Sequence, residues 1–169
     1  MYAPFASVSR QLGLALMIAL ALTFSWSRLT LADEADGVVR VKSAYSMEET
    51  VARIKKDIAD KGIMFFQEVN QSQLAEKAGI KLNPSTLLTF GNPPLGTLFL
   101  TSNPDSGLDW PVRVLVRQDD KGQVWAVYTD FAWIARRHNI KDREPQFKMA
   151  SMVVASMVVE SITSAVKAK

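Results

Sequence analysis

Residues 111–129 decide the fold, and they read PVRVLVRQDDKGQVWAVYT. Two runs rich in β-branched and aromatic residues flank Asp119-Asp120-Lys121-Gly122, a combination that is typical of a tight turn. The pattern therefore predicts an antiparallel hairpin. If Gln118 lies opposite Gln123, the core face of the hairpin consists of Val112, Val114, Val116, Trp125 and Val127. The other face then consists of Arg113, Leu115, Arg117, Val124, Ala126 and Tyr128, with Arg113 opposite Tyr128.

The sequence before the hairpin opens with a strand and a helix. Val38–Lys42 is rich in β-branched residues and predicts the strand. Ser46, followed three residues later by Glu49, forms a capping box that starts the helix, and Gly62 ends it. Within the helix, apolar residues recur at spacings of three and four and share one face: Met47, Val51, Ile54 and Ile58.

Shorter elements are expected between this helix and the hairpin. Strands are predicted at 63–69 and 86–90, with helical turns at 71–78 between them. Asn92 and Pro93 predict a short helix that starts after the second of these strands. Its expected buried residues are Leu95, Leu98 and Phe99, and 103–107 is predicted to be a loop.

Two helices follow the hairpin. The first is predicted at 131–138, and the second runs from Pro145 to about Ala168. The middle of the second helix is apolar nearly all round, so burial is expected on more than one side, against the sheet and against a partner subunit. The order of elements predicts an α+β fold, with one sheet covered by helices and an extended C-terminal helix.

The first 32 residues resemble a secretory signal peptide. An apolar run of eleven residues, 12–22, follows Arg10, and Ala32 supplies the small residue expected before a cleavage site. We expect cleavage after Ala32, a flexible segment at 33–37, and a periplasmic or secreted protein with no stable membrane insertion. The alternative is an uncleaved anchor, in which Thr23, Phe24 and Trp26 extend the apolar run.

Composition excludes several classes of function. The 169 residues include no Cys and one His, so thiolate chemistry, disulfides and a multi-histidine metal site are excluded within one chain. Of the 20 Lys and Arg, Arg10 and Arg28 leave with the signal peptide, and all 17 acids remain, which gives a mature charge of 18 minus 17, or +1. We therefore expect no nucleic-acid partner, no metal and no cofactor.

An ordered set of residues within 90–138 resembles a known family: Phe90-Gly91-Asn92-Pro93, Gly96-Thr97, Gly107-Leu108-Asp109, Pro111, Arg113-Val114-Leu115-Val116, Gly122, Val124-Trp125, Tyr128, Asp130 and Arg137-His138. The chain is identified as a member of DUF302, a family of unknown function, over residues 38–140. The resemblance implies the TT1751-like fold, β-α-β(4)-α, and leaves 141–169 as an added C-terminal helix. Trp110 and Phe131 depart from the family's pattern, and both lie beside the candidate site.

Six residues near the hairpin are candidates for a ligand site: Asn92, Asp109, Arg113, Tyr128, Asp130 and His138. Arg113 and Tyr128 could recognise an anion and a ring, or could be a cross-strand contact. His138 could act as a general base oriented by Asp109 or Asp130, or could cap the helix that it ends. Asn92 lies in a turn that could hold an anion, or that could only start a helix.

Three functions follow from these residues. The first is a non-catalytic module that binds a small molecule or a protein of the cell envelope. The second is a hydrolase or isomerase that uses His138 with Asp130 or Asp109. The third is a structural homodimer formed through the C-terminal helix.

Overall fold

The computed structural model describes residues 36–163, so the predicted signal peptide and residues 164–169 lie outside the described residues. Five strands are present: β1 (Val38–Lys42), β2 (Met64–Asn70), β3 (Ser85–Gly91), β4 (Val112–Gln118) and β5 (Val124–Thr129). Five α-helices accompany them: α1 (Met47–Asp60), α2 (Gln71–Lys77), α3 (Pro93–Ser102), α4 (Phe131–Arg137) and α5 (Glu144–Ile162). This is the predicted α+β class and order of elements.

The strands form one antiparallel sheet in the order β1-β5-β4-β3-β2. Helices α1 and α5 pack against each other and α4 packs against α5. Side chains of these helices share one core with alternate residues of the inner strands. Fully buried members of that core are Ile54, Ile58, Leu88, Val114, Val116, Ala126, Met157 and Val158.

Local chemistry explains why α1 forms where the sequence predicts it. The Ser46 hydroxyl accepts a hydrogen bond from the Glu49 amide at 3.2 Å, which satisfies one of the free N–H groups of the first turn. Lys61 caps the C-terminus, and Gly62 follows with φ 64°, a left-handed conformation that favours glycine. The buried positions along the helix are Met47, Thr50, Ile54 and Ile58.

The hairpin forms as predicted, but its predicted register is wrong by one residue. Gln118 pairs with Val124, and Val114 pairs with Tyr128. The reason is the turn, because the Asp119 carboxylate accepts bonds from the Lys121 and Gln123 amides and the Asp119 amide donates to the Gln123 carbonyl. The slip exchanges the β5 faces. Val124, Ala126 and Tyr128 are buried, whereas Trp125 and Val127 are only partly buried.

Two shorter predictions also need correction. The segment predicted as a loop at 103–107 belongs to a 3₁₀ helix, Pro104–Asp109, because the Asn103 side chain accepts a bond from the Asp105 amide at 2.9 Å. In α3, Phe99 is buried as predicted, but Leu98 is 37% exposed, since α3 buries the side that carries Gly96 and Phe99.

The N-terminal end of the described chain is held in place. Of the segment predicted to be flexible, 33–37, the structure describes Asp36 and Gly37. Gly37 is buried, its carbonyl accepts the Asp130 amide at 2.8 Å, and a Cβ at this position would overlap the Trp133 ring. Asp36 accepts a hydrogen bond from the Val38 amide and forms an ion pair with Arg40.

Helix α5 buries one stripe of side chains: Phe147, Ala150, Val154, Met157, Val158 and Ile162. Met149 and Met152 on the same helix are exposed. Within residues 36–163, no helix is both long enough and apolar enough to cross a membrane.

Candidate functional site

One buried carboxylate brings three of the predicted site residues together. The Asp109 side chain is 3% exposed, and Nε2 of His138 lies 2.6 Å from its Oδ2 atom. Arg113 donates from Nη2 to Oδ1 at 3.0 Å. Arg137 donates from Nη1 to Oδ2 at 3.0 Å and to Oδ1 at 3.2 Å. Asp109 is therefore the centre of a cluster with two arginines and the one histidine of the chain, which we call the Asp109 cluster.

The Asp109 cluster joins three elements of the fold. Asp109 ends the 3₁₀ helix, Arg113 lies near the start of β4, and Arg137 and His138 end α4. Asn103 adds a further link, because its side-chain amide donates to the His138 carbonyl at 2.9 Å. Both guanidinium groups keep more than two fifths of their side-chain surface exposed, whereas the imidazole is 6% exposed. The cluster thus connects the end of α4 with the 3₁₀ helix and the sheet.

A histidine beside a carboxylate is the arrangement of a general base with its orienting group. Asp109 is the carboxylate that could orient His138, and Asp130 is not. The Asp130 carboxylate instead caps α4, where it accepts the Trp133 amide at 2.8 Å. The alternative that His138 caps the end of α4 also agrees with the structure, since its amide donates to the Ile134 carbonyl.

The predicted pairing of Arg113 with Tyr128 is wrong. Arg113 pairs with Thr89 of β3, and its neighbour Val114 is the residue opposite Tyr128. Arg113 and Tyr128 therefore point to opposite faces of the sheet. Tyr128 belongs to the core, and burial, with a smaller contribution from the Asp130 charge, raises the pKa of its hydroxyl to about 12.

Asn92 lies at a different place, on the rim of an apolar cavity of about 370 Å³ between α5 and the end of the sheet where β3 ends and β4 begins. Its side-chain oxygen caps α3 by accepting the Leu95 amide at 3.1 Å. Nine apolar side chains line the cavity together with Gly91, and the polar lining residues are Asn92 and Lys61. Neither Asp109 nor His138 lines it.

The two residues that depart from the family's pattern lie beside this cavity. Phe131 lines it. Trp110 packs edge-on against Phe66, with ring centroids 5.9 Å apart, and its indole approaches Gly91 and Gly96. A Cβ at Gly96 would overlap the Trp110 indole, so this glycine makes room for the larger side chain.

Sequence reasoning missed three contributors to these sites. Arg137 was assigned only to the end of α4, although it stands next to His138 in the sequence. Lys61 directly precedes Gly62, which ends the predicted helix, and nothing in the sequence marks it as a cavity residue. Met149 lies within the helix predicted from Pro145, and its exposure of 53% could not be derived from helical spacing in a helix that is apolar nearly all round.

Comparison with known proteins places the chain in a family. The model of the family described as "Domain of unknown function DUF302" matches residues 39–168. The chain belongs to the DUF302 family. The match runs through α5, so the family's domain includes the helix that the sequence analysis placed after residue 140.

A solved structure supports the fold of this DUF302 chain. The crystal structure of an uncharacterised conserved DUF302 protein from Bacillus stearothermophilus matches with a TM-score of 0.69 and 16% sequence identity. The match covers 75% of this chain and 99% of the Bacillus chain. At that identity, the likeness establishes the architecture.

Two curated relatives of the DUF302 chain carry a functional name. Proteins named fluoride-specific ion channel from Brucella suis biovar 1 and from Brucella abortus biovar 1 are each 38% identical over 104 residues, or 62% of this chain. The chain spans about two fifths of their length, 41% and 38% respectively.

Proposed function

We propose that this DUF302 protein is an exported, non-catalytic module that binds a small, largely apolar molecule in the cavity beside α5. The observation that carries the proposal is the chemistry of the lining, in which nine apolar side chains surround about 370 Å³ and two polar residues stand at the rim. Small-molecule sites are typically concave and mainly apolar, with a few polar groups that orient the ligand.

The polar residues at the rim suggest what one end of the ligand carries. Asn92 uses its oxygen to cap α3, which leaves its NH₂ group as a donor. Lys61 forms an ion pair with Asp57 at 2.7 Å, and an ammonium group has three N–H donors, so two remain for a ligand. The hydrogen bond to Asp57 raises the pKa of Lys61, which keeps the ammonium charged. A ligand with an apolar body and one acceptor or anionic end fits this arrangement.

We propose a non-catalytic role because the cavity offers few groups for acid–base chemistry. Lys61 is the titratable residue of its lining, and its pKa is shifted away from neutrality. The Asp109–His138 pair favours the enzyme alternative by its geometry, but the imidazole is buried among its own partners rather than facing the cavity. A hydrolase or isomerase would need substrate to reach that ring.

Two further observations bear on where the protein acts and on which other ligand it could bind. The proposal that the module is exported rests on segment 1–32, which resembles a secretory signal peptide. The Brucella relatives are named as fluoride channels, and from them we take one competing ligand, fluoride, for which the exposed guanidinium groups of Arg113 and Arg137 would be the binding groups.

The test uses protein purified from the exported fraction of cells that express the full-length chain. Native mass spectrometry should detect an added mass on a chain that begins at Asp33. After that molecule is removed, N-phenyl-1-naphthylamine should bind with a fluorescence increase. Fluorine NMR of added fluoride should show no binding. A bare protein that does not bind the dye contradicts the proposal, and saturable fluoride binding that is lost in Arg113→Ala would support the competing ligand.

A further inference from the structure

Exposed apolar side chains are concentrated on one strand of the described structure and on the segment that follows it. Ten large apolar side chains are exposed within residues 36–163, and six of them belong to β2, α2 and the loop after α2: Met64, Phe65, Phe66, Leu74, Ile80 and Leu82. Scattered exposed apolar residues need no explanation, whereas a cluster of this kind marks an interaction surface. We call these six residues the β2 patch.

The β2 patch surrounds an edge strand. Among the described strands, β2 pairs with β3 alone, so its outer backbone groups face away from the sheet. All of its residues except Val69 are exposed. Exposed edges are usually protected by charges, proline or bulges. β2 has a bulge at Phe66, no proline, and one charged side chain, Glu68, which already forms an ion pair with Lys55 at 2.7 Å.

The apolar residues lie at both ends of the strand. Met64, Phe65 and Phe66 form its first half. Leu74 belongs to α2, which begins directly after Asn70. Ile80 and Leu82 line a cleft together with Asn70, so they also lie at the far end of β2.

This arrangement is self-complementary. A two-fold axis near Gln67 would place the first half of β2 in one copy beside the far end of β2 in the other, at both ends of the interface. An isologous contact requires this reciprocity, in which surface i meets surface j and j meets i. Since Glu68 is paired within its own chain, the two edges would meet without bringing uncompensated like charges together.

We infer that the protein forms a symmetric homodimer by antiparallel pairing of β2 with β2 of a second copy. The pairing joins two five-stranded sheets into one continuous sheet and covers the β2 patch. It replaces α5, which was the surface of self-association in the third of the three functions derived from the sequence. On α5 the exposed large apolar residues are only Met149 and Met152, and a buried stripe already joins the rest of the helix to the core.

Two matched substitutions separate the β2 dimer from an α5 dimer. Met64 is 52% exposed on β2 and Met152 is 59% exposed on α5, so neither change disturbs the core. Sedimentation velocity of the exported protein should show a dimer for the wild type and for Met152→Glu, and a monomer for Met64→Glu. A wild-type monomer at every concentration overturns the inference. So does a dimer that Met152→Glu dissociates and Met64→Glu does not.

A cross-link tests the register and does not depend on Met64→Glu folding normally. The chain contains no cysteine, so a single introduced thiol can form a disulfide only with its copy in another chain. Opposed residues of antiparallel strands have Cα atoms about 4.5–5.5 Å apart, within disulfide reach. Mild oxidation should cross-link Gln67→Cys or one of its strand neighbours, and leave Met152→Cys monomeric on a denaturing gel. Efficient cross-linking at residue 152 and at no β2 position would contradict the inference, as would capture of a different protein by the β2 cysteines.

Discussion

His138 Nε2 lies 2.6 Å from Asp109 Oδ2, and this contact joins the end of α4 to the end of the 3₁₀ helix across 29 residues of sequence. Both side chains are buried, and the same carboxylate also binds two arginines. Asp109 therefore has all of its strong acceptor positions directed at residues of its own chain. This geometry is that of a structural ion-pair cluster, and it is separate from the apolar cavity that Asn92 borders.

Asp109→Asn should destabilise the fold by about 2 kcal/mol, because the amide replaces one buried acceptor oxygen with an NH₂ group that faces N–H donors and cannot bind them. Urea denaturation of the exported protein measures the change. Asp105→Asn is the matched control, since it alters an exposed acid on the same 3₁₀ helix and should change stability by less than about 0.5 kcal/mol. Equal effects of the two substitutions would show that the Asp109 cluster does not stabilise the fold.

His138 should be protected from chemical modification while the protein is folded. It is the one histidine of the chain, so the N-carbethoxyhistidine that diethyl pyrocarbonate forms reports on this residue alone. A ring that is 6% exposed and bound to a carboxylate should react only after addition of urea. Rapid labelling of the folded protein would instead support an accessible catalytic histidine, and with it the enzyme alternative.

Tyr128 should make the protein sensitive to high pH. Burial raises the pKa of the folded-state hydroxyl to about 12 from the usual 10.0, so the folded state holds its proton where the unfolded state releases it. The contribution to stability is complete below pH 10 and is lost as the pH rises from 10 through 12. Tyr128→Phe should remove this loss between pH 10 and 12, measured by urea denaturation, and should also remove the latest tyrosinate transition in an absorbance titration. An unchanged alkaline dependence in Tyr128→Phe would contradict this account.

Gly96→Ala should destabilise the protein by about 2 kcal/mol, because the new methyl group would overlap the Trp110 indole. Gly107→Ala is the control, since its Cβ would come no closer than 3.9 Å to a neighbour. The defect should shrink in the Trp110→Leu background, which removes the indole. Thermal unfolding measures the stability of Gly96→Ala, Gly107→Ala, Trp110→Leu and the double variant of Gly96 and Trp110. An identical Gly96→Ala defect in both backgrounds would show that the indole is not the cause.

The elements that are determined by residues close in sequence could be predicted from the sequence. Helix α1 follows from Ser46, Glu49 and a clear apolar face, because caps and spacing are local signals. The hairpin register could not be predicted from the turn composition alone. It depends on the Asp119 carboxylate, which accepts bonds from two backbone amides and from the Trp125 indole at 2.9 Å. One extra residue in that turn exchanged the two faces of β5.

The candidate site also depends on contacts that local sequence patterns do not predict. Asp109 and Asp130 were equal candidates as partners of His138, and the choice depended on position, since Asp130 stands directly before α4 and caps it. The cavity could not be predicted at all. Its lining residues come from the loop that follows α1 and from five other elements: β3, α3, β4, α4 and α5. No local sequence pattern predicts that these segments contact one another.

Dye titration of two methionine variants tests most directly whether the cavity beside α5 binds a small apolar molecule, as we propose. Met149 and Met152 are exposed to similar extents on the same helix, but only Met149 lines this cavity. Met149→Glu should weaken N-phenyl-1-naphthylamine binding by about tenfold, or about 1.4 kcal/mol, and Met152→Glu should bind as the wild type does. Equal affinity for both variants, or no binding by the wild type, would contradict the claim.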